Sequence, residues 1–324
     1  MLKHFIVTGG SGFIGGQIAD HLQRSGHEVV FVDKRPPEDP TRLYMHADAL
    51  PHYLKQGDFD HFDGIVHMGA CTNTLYGLGM GDRAGLEKAD QQYLKETNTD
   101  YSKLLWEWCS EKKKPFIYAS SAATYGDGKL GFSEDLSTLM LLQPLNPYGK
   151  SKHEFDLWAI ESAAAKKCPP IWAGLKFFNV YGKTEASKGK MASMVYQLFT
   201  QARETGKVRL FTDGEQKRDF VWVGDIVKII DYMLFPRARS SVAKGLFNIG
   251  TGKGRTFNEV AKACFAVLGK PVQIEYFDMP EQLKPAYQNF SEAKLDRLKS
   301  IGYNQEFTSI EDALKTFVSP LPIP

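Results

Sequence analysis

The sequence predicts an α/β protein built on a doubly wound parallel sheet, with a smaller, interleaved α/β lobe attached. Three observations carry that prediction. Short runs of β-branched and aromatic residues alternate with longer stretches of helical period, a glycine-rich turn follows the first run at once, and an acid closes the second run. The strand-like runs are HFIVT, EVVFVD, DGIVHM, PFIYAS and IWAGLKFF, whose composition suits a buried sheet. Between them, Gly15 to Arg24, Asn98 to Lys112 and Tyr148 to Ala165 are amphipathic and long enough to serve as crossover helices. The βαβαβ order implies a parallel Rossmann sheet covered by helices on both faces. No internal repeat or low-complexity linker interrupts it. The tail SPLPIP, with Pro320, Pro322 and Pro324, cannot continue a helix and reads as an extended surface segment.

A chain of 324 residues has room for one large α/β unit or for a domain with a smaller companion. Lysine and arginine total 40 against 38 acids, so nothing in the charge balance calls for nucleic acid. Apolar residues make up 43% and charged residues 24%, as in an ordinary globular protein. Cys71, Cys109, Cys168 and Cys264 are scattered without zinc-site or disulfide spacing, which fits reduced thiols in the cytoplasm. MLKHFIVTGG runs into glycines before any signal-peptide core forms, and no run approaches the ~18 apolar residues of a membrane span. A cytoplasmic protein with neither a nucleic-acid nor a membrane partner is the expectation.

The sharpest motif is TGGSGFIGG, which follows the first predicted strand and opens a helix. Gly9, Gly12 and Gly15 allow a tight turn, close approach of a pyrophosphate, and close packing of helix on sheet; the phosphates then meet the free N–H groups of the helix start. Asp33 ends the second strand 18 residues after Gly15, near the ~20 expected of an acid that binds the adenosine ribose. Lys34 and Arg35 follow directly and can hold a 2′-phosphate, which favours NADP over NAD.

The second motif is NPYGKSKHEFD. Tyr148 and Lys152 are four apart, so on a helix opened by Pro147 they share one face. An ammonium beside a phenol stabilises the phenolate, as a base that removes an alcohol proton requires. Upstream, PFIYASSAATYG delivers Ser121 at a strand end, where it can bond the same reacting oxygen or simply cap the following loop. A third stretch, FFNVYGKTEASKGKMASM, places Lys183, Lys188 and Lys190 between a strand end and a helix start. Three readings stand open for these lysines: solvated charge, anion clamp, or catalytic base.

TGGSGFIG, YASSAATYG and YGKSK, in this order, resemble the extended short-chain dehydrogenase/reductase superfamily. Within it the chain is most similar to the ADP-glycero-manno-heptose 6-epimerases, a likeness that continues through HMGACTNT, FFNVYG, KGKMAS, KRDFVWVGD, FNIGTG and LKPAYQNF and so covers nearly the whole chain. The resemblance implies an isomerase acting on an ADP-sugar. A carbinol carbon with no adjacent carbonyl has no acidic hydrogen, so inversion needs transient oxidation to a 6-ketone and return of hydride to the other face. It implies Tyr148 and Lys188 as the two acid/base groups, with Lys152 and Ser121 beside the tyrosine. Phe13, Ile14, Cys71, Thr72, Asn98 and Val180 are implied to line the dinucleotide. Asn179, Lys190, Gln197, Phe211, Arg218 and Tyr287 are implied on the substrate side, Arg218 because a guanidinium holds phosphate oxygens in a fork. A homo-oligomer and a place in lipopolysaccharide core assembly are implied as well.

The chain also departs from that family. The segment 75–97 is glycine-rich at first and longer than usual, Lys190 replaces a smaller residue or an arginine, and Gln197 stands where a histidine is common. A dehydratase of the same frame carries Asp-Glu just after the serine, where this chain has Ala122 and Ala123, which argues against elimination. The runner-up readings are another nucleotide-sugar 4-epimerase or reductase and a non-catalytic dinucleotide sensor, although a sensor has no need of Tyr148 and Lys152. The motifs divide the chain into a dinucleotide-binding domain over 1–177, with 219–249 returning to it, and a substrate lobe formed mainly by 178–218 and 250–324. In this division the run from DFVWVGDIVKIIDYML to FNIGTG reads as a strand and a helix rejoining the large sheet.

Overall fold

The structure, a computed structural model, describes residues 1–74, 76–78, 85–278 and 288–318. Seven parallel strands form the large sheet: β1 (His4–Thr8), β2 (Glu28–Asp33), β3 (Tyr44–His46), β4 (Gly64–His67), β5 (Phe116–Ser121), β6 (Trp172–Phe177) and, later in the chain, β10 (Lys244–Ile249), in the order β10-β6-β5-β4-β1-β2-β3. Each run named from sequence forms its strand. The short β3 adds the edge, and its three residues carry too little pattern to be read in advance.

Side chains alternate across a strand, so β1 feeds two cores. Phe5 and Val7 meet Ile18, Ala19 and Leu22 of α1 (Phe13–Arg24), while Ile6 faces the other side. There Val30, Val32, Ile65 and Phe116 pack with Leu105, Trp106 and Cys109, beyond α2 (Leu50–Gln56) and α3 (Glu87–Leu94), on α4 (Tyr101–Glu111). After α5 (Leu136–Leu139), α6 (Pro147–Ala164) adds Phe155 and Ala159 to this face. Burial on both faces is why these strands read as unbroken apolar runs.

The remaining strands form two small sheets. β7 (Asn179–Tyr181), β9 (Lys217–Trp222) and β11 (Gly254–Thr256) associate in the order β11-β9-β7, and β8 (Val208–Phe211) pairs with β12 (Ile274–Phe277). A third core gathers Val195, Leu198 and Phe199 of α7 (Met194–Thr205), Val260, Cys264 and Phe265 of α9 (Phe257–Leu268), and Leu314 and Phe317 of α11 (Ile310–Val318). Between the last two lies α10 (Asp296–Ser300).

One sequence expectation needs correction. The strand KRDFVW, β9, does not rejoin the large sheet: it pairs with β7 in parallel and β11 antiparallel. Only α8 (Val223–Leu234) and β10 return, α8 through Ile226, Ile229, Ile230 and Met233 in the core shared with α1. The physical reason is visible along β9, where Val221 reaches the large core and Phe220 the third core, so its alternating residues join two bodies. The tail SPLPIP lies outside the described residues, as do residues 75 and 79–84 of the long 75–97 segment, which carries α3.

Candidate active site

The strand order reverses between β1 and β4, and ligands of such sheets bind outside the carboxyl ends of strands at that point. The glycine turn lies there. Gly9 takes a left-handed φ of +67°, and a Cβ on it would come 2.7 Å from Gly69 N, just after β4. A Cβ on Gly15 would overlap the Gly9 carbonyl oxygen, so the turn and the first turn of α1 are packed backbone to backbone. Gly12, extended at φ −89° and ψ 173°, precedes α1 without a side-chain cap, and the first turn holds no acid. These N–H groups and this close-packed cradle fit a pyrophosphate. Phe13 and Ile14 open the helix, with Ile14 packed on the core.

Asp33 sits against this turn, accepting Ser11 N at 3.2 Å and Arg35 N at 3.3 Å. Lys34 and Arg35 are exposed beside it. The Lys34 ammonium donates to the Tyr93 hydroxyl at 3.1 Å and lies over that ring at 4.9 Å, a contact that raises its pKa.

Asn98 has a different place from the one implied. It does not begin a helix but sits inside a π-helical turn, Lys95–Asp100, between α3 and α4. Its side chain accepts from Cys71 N at 2.8 Å and donates to Cys71 O at 3.0 Å and to Ser151 Oγ at 3.0 Å. It therefore clamps the segment after β4 to α6, beside half-buried Cys71 and exposed Thr72. Burial pushes the Cys71 thiol up, which keeps it a thiol. Val180 packs from β7 against the large core.

The Ser-Tyr-Lys group assembles at the ends of β5 and α6. Asn146 caps α6 by accepting Gly149 N at 2.8 Å, and Pro147 fills the first helical position. Gly149 lets the helix press onto the turn Ala122–Tyr125, since a Cβ there would come 2.9 Å from Ala123 O. Ser121 caps that turn, accepting Ala123 N at 3.1 Å, and its side chain also hydrogen-bonds the Tyr148 phenol. Lys152, 4% exposed, donates to Ala119 O at 2.8 Å. Burial lowers its pKa to about 8 against an upward pull from Asp156.

The tyrosine differs from expectation. Burial raises the Tyr148 phenol and outweighs the downward pull of the Ser121 hydrogen bond. Packing around the half-buried ring penalises the phenolate, a desolvation cost that sequence spacing does not reveal.

Beneath this group lies an ion pair not anticipated from the sequence. Lys176 on β6 and Asp156 on α6 are both fully buried and 2.7 Å apart. Asp156 also accepts from Ser120 Oγ at 2.7 Å and Tyr118 OH at 3.0 Å, and Lys176 donates to Thr124 Oγ1 at 2.7 Å. Thr124 in turn bonds Ser121 O at 2.8 Å, linking the pair to the serine. The available signal was Asp156 four residues beyond Lys152, on the same helix face.

Of the three loop lysines, Lys188 is placed at the cofactor turn. Its ammonium lies 4.9 Å over the Phe13 ring and 2.8 Å from Glu185. Gln17 on α1 bonds Thr184 at 3.1 Å, tying the same loop to the same helix. The side chain of Lys190 lies outside what is described, and so does Tyr287. Asn179 donates to Asp219 O at 3.1 Å, and Gln197 donates to Ala192 O at 2.7 Å, holding the end of the lysine loop. Arg218 is only 9% exposed on β9, with Nη1 on Lys217 O at 3.0 Å. Its neighbour Asp219 is fully buried and accepts Thr251 N, Gly252 N and Ala293 N at 2.7, 2.9 and 3.0 Å. Phe211 meets Phe277 with ring centroids 4.8 Å apart and planes tilted by 55°, joining β8 to β12.

A dinucleotide cradle beside a serine, a tyrosine and a lysine at a sheet switch point defines a nicotinamide-dependent enzyme frame. The chain belongs to the NAD dependent epimerase/dehydratase family, whose model matches residues 5–250. It is 40% identical to the ADP-L-glycero-D-manno-heptose-6-epimerase of Fusobacterium nucleatum, over 97% of this chain and 96% of that protein. It is 35% identical to the enzyme of the same name from Alkalilimnicola ehrlichii, again over 97% and 96%. The crystal structure of the Helicobacter pylori ADP-L-glycero-D-manno-heptose-6-epimerase superposes with a TM-score of 0.79 at 27% identity, covering 98% of this chain and 95% of that one. A nicotinamide dinucleotide is the cofactor of this frame. Among the described residues, no helix is long and apolar enough to cross a membrane.

Proposed function

We propose that this chain inverts C6 of the heptose in ADP-glycero-manno-heptose through a transient 6-ketone, with NADP as the bound dinucleotide. What supports the reading is that two acid/base candidates are each held by an element of this site. Tyr148 with Ser121 stands at the end of β5, and Lys188 stands over the Phe13 ring of the glycine turn.

The dinucleotide supplies a hydride acceptor that later returns the hydride. Tyr148 takes the hydroxyl proton while the Ser121 hydroxyl donates to the same oxygen. The buried Lys152 ammonium lowers the cost of the phenolate. Lys188 serves the oxygen when the turned ketone presents it to the other side. The preference for NADP rests on exposed Lys34 and Arg35 beside Asp33. Arg218, with Asn179 beside it on β7, holds the diphosphate and sugar. Residues 1–177 act as the dinucleotide domain, and the body around the third core acts as the substrate lobe, with β9 joining the two. Self-association and a cytoplasmic setting complete the reading. Incubation with each ADP-heptose epimer, followed by NMR, tests it: interconversion supports the reading, and inertness toward both with turnover of UDP-galactose overturns it.

A further inference from the structure

The loop that carries Lys188 is organised around one carboxylate. Glu185 is fully buried, yet it accepts four bonds: Gly182 N at 2.9 Å, Ser193 Oγ at 2.7 Å, Ser193 N at 2.8 Å and Lys188 Nζ at 2.8 Å. All four partners are donors, two on each oxygen. Only an ionised carboxylate accepts at every one of those positions, because a protonated acid or an amide would turn a hydrogen toward a donor. A buried negative charge needs a cation, and Lys188 provides it. The lysine side chain is one-third exposed, with the Phe13 ring at 4.9 Å. Of the carboxylate and the ring that meet this ammonium, only the carboxylate is charged.

We propose that Glu185 is the positioning residue for Lys188. It fixes the ammonium at the rim of the dinucleotide cradle and fastens both ends of the loop, Gly182 and Ser193, so that the lysine cannot swing into solvent. The inference rests on the reading of Lys188 as an acid/base group. It goes further by assigning a role to a residue that never touches substrate.

The test is a double-mutant cycle in the holoenzyme with Glu185→Gln and Lys188→Ala. Glu185→Gln is expected to lower kcat about a hundredfold, in line with the general acid–base contribution it would misplace. In the Lys188→Ala background the same change is expected to lower kcat by less than about threefold, since nothing remains to position. Equal losses in both backgrounds, or an unchanged kcat for Glu185→Gln, overturn the proposal. Glu185→Asp, which keeps the charge, is expected to recover about tenfold over Glu185→Gln, and it carries the test should the glutamine variant not fold. No recovery counts against the proposal. Ser193→Ala removes one loop bond and the cap that Tyr196 N finds on Ser193 Oγ, but leaves the ion pair. It is expected to melt earlier with kcat preserved, and a loss of kcat matching that of Glu185→Gln overturns the proposal.

A readout independent of turnover is acylation of Lys188 by acetic anhydride, scored by peptide mass spectrometry against exposed Lys262. Release from the carboxylate is expected to raise the relative rate about tenfold in Glu185→Gln, and an unchanged ratio contradicts the proposal. If Lys188→Ala alone turns over at wild-type speed, the proposed function loses its second base. If Lys188→Ala is slow while Glu185→Gln is not, only the present inference fails.

Discussion

Replacing Asp156 with Asn tests the machinery under the catalytic residues. The substitution keeps the size of the side chain and removes its charge, leaving the Lys176 ammonium fully buried against a neutral amide. Breaking one side of a buried pair costs ~3–5 kcal/mol, because the surviving charge has lost its compensation. For a chain of this size that loss lowers the melting temperature by on the order of 10 °C. Thermal unfolding followed by circular dichroism measures it. Adding Lys176→Met removes the stranded charge and is expected to recover at least half of the loss. The rate carries a second signature. The Asp156 charge pulls the pKa of Lys152 up against burial, which lowers it, and the balance of the two lies at about 8. With Lys152 acting as an ammonium, as proposed, activity is expected to fall as pH rises through that value, and without Asp156 the alkaline limb is expected to move to lower pH. A variant within about 1 kcal/mol of wild type, or a double variant no more stable than the single, refutes this reasoning.

Other expectations follow from the same geometry. Ser121→Ala removes a donor to the reacting oxygen and is expected to lower kcat by ~10²-fold with little change in KM, read by initial-rate kinetics. Gly15→Ala places a methyl on the Gly9 carbonyl oxygen; it is expected to destabilise the fold by ~1–3 kcal/mol and to weaken dinucleotide binding, measured by calorimetry. The pair Lys34→Ala and Arg35→Ala is expected to weaken NADP binding about tenfold and leave NAD binding unchanged. Equal loss for both cofactors contradicts the assignment of the 2′-phosphate to this loop.

Much of this architecture is legible in the sequence because local chemistry and global fold agree there. HFIVT, EVVFVD, PFIYAS and IWAGLKFF are apolar because helices cover both faces of the sheet, and Gly9 and Gly15 are glycines because no Cβ fits. The spacing of Tyr148 and Lys152 gives a shared helix face without any knowledge of the fold. Features that depend on distant partners were not legible. β9 reads as any strand, and its pairing with β7 and β11 is decided by which cores Phe220 and Val221 reach. Asn98 shows no sign in sequence of clamping Cys71 to Ser151, since those contacts cross 27 and 53 residues. Glu185 shows in sequence only its spacing of three from Lys188, because the bonds it accepts from Gly182 and Ser193 depend on how the loop folds around it. The upward shift of the Tyr148 phenol arises from burial, which spacing does not encode.

The central claim is that the C6 hydrogen leaves and returns as hydride within the protein. Epimerisation of ADP-glycero-manno-heptose in deuterium oxide, followed by NMR at C6, tests it most directly. The account predicts interconversion of the epimers with protium kept at C6. Deuterium entering C6 during turnover would mean that the hydrogen departed as a proton, and would contradict it.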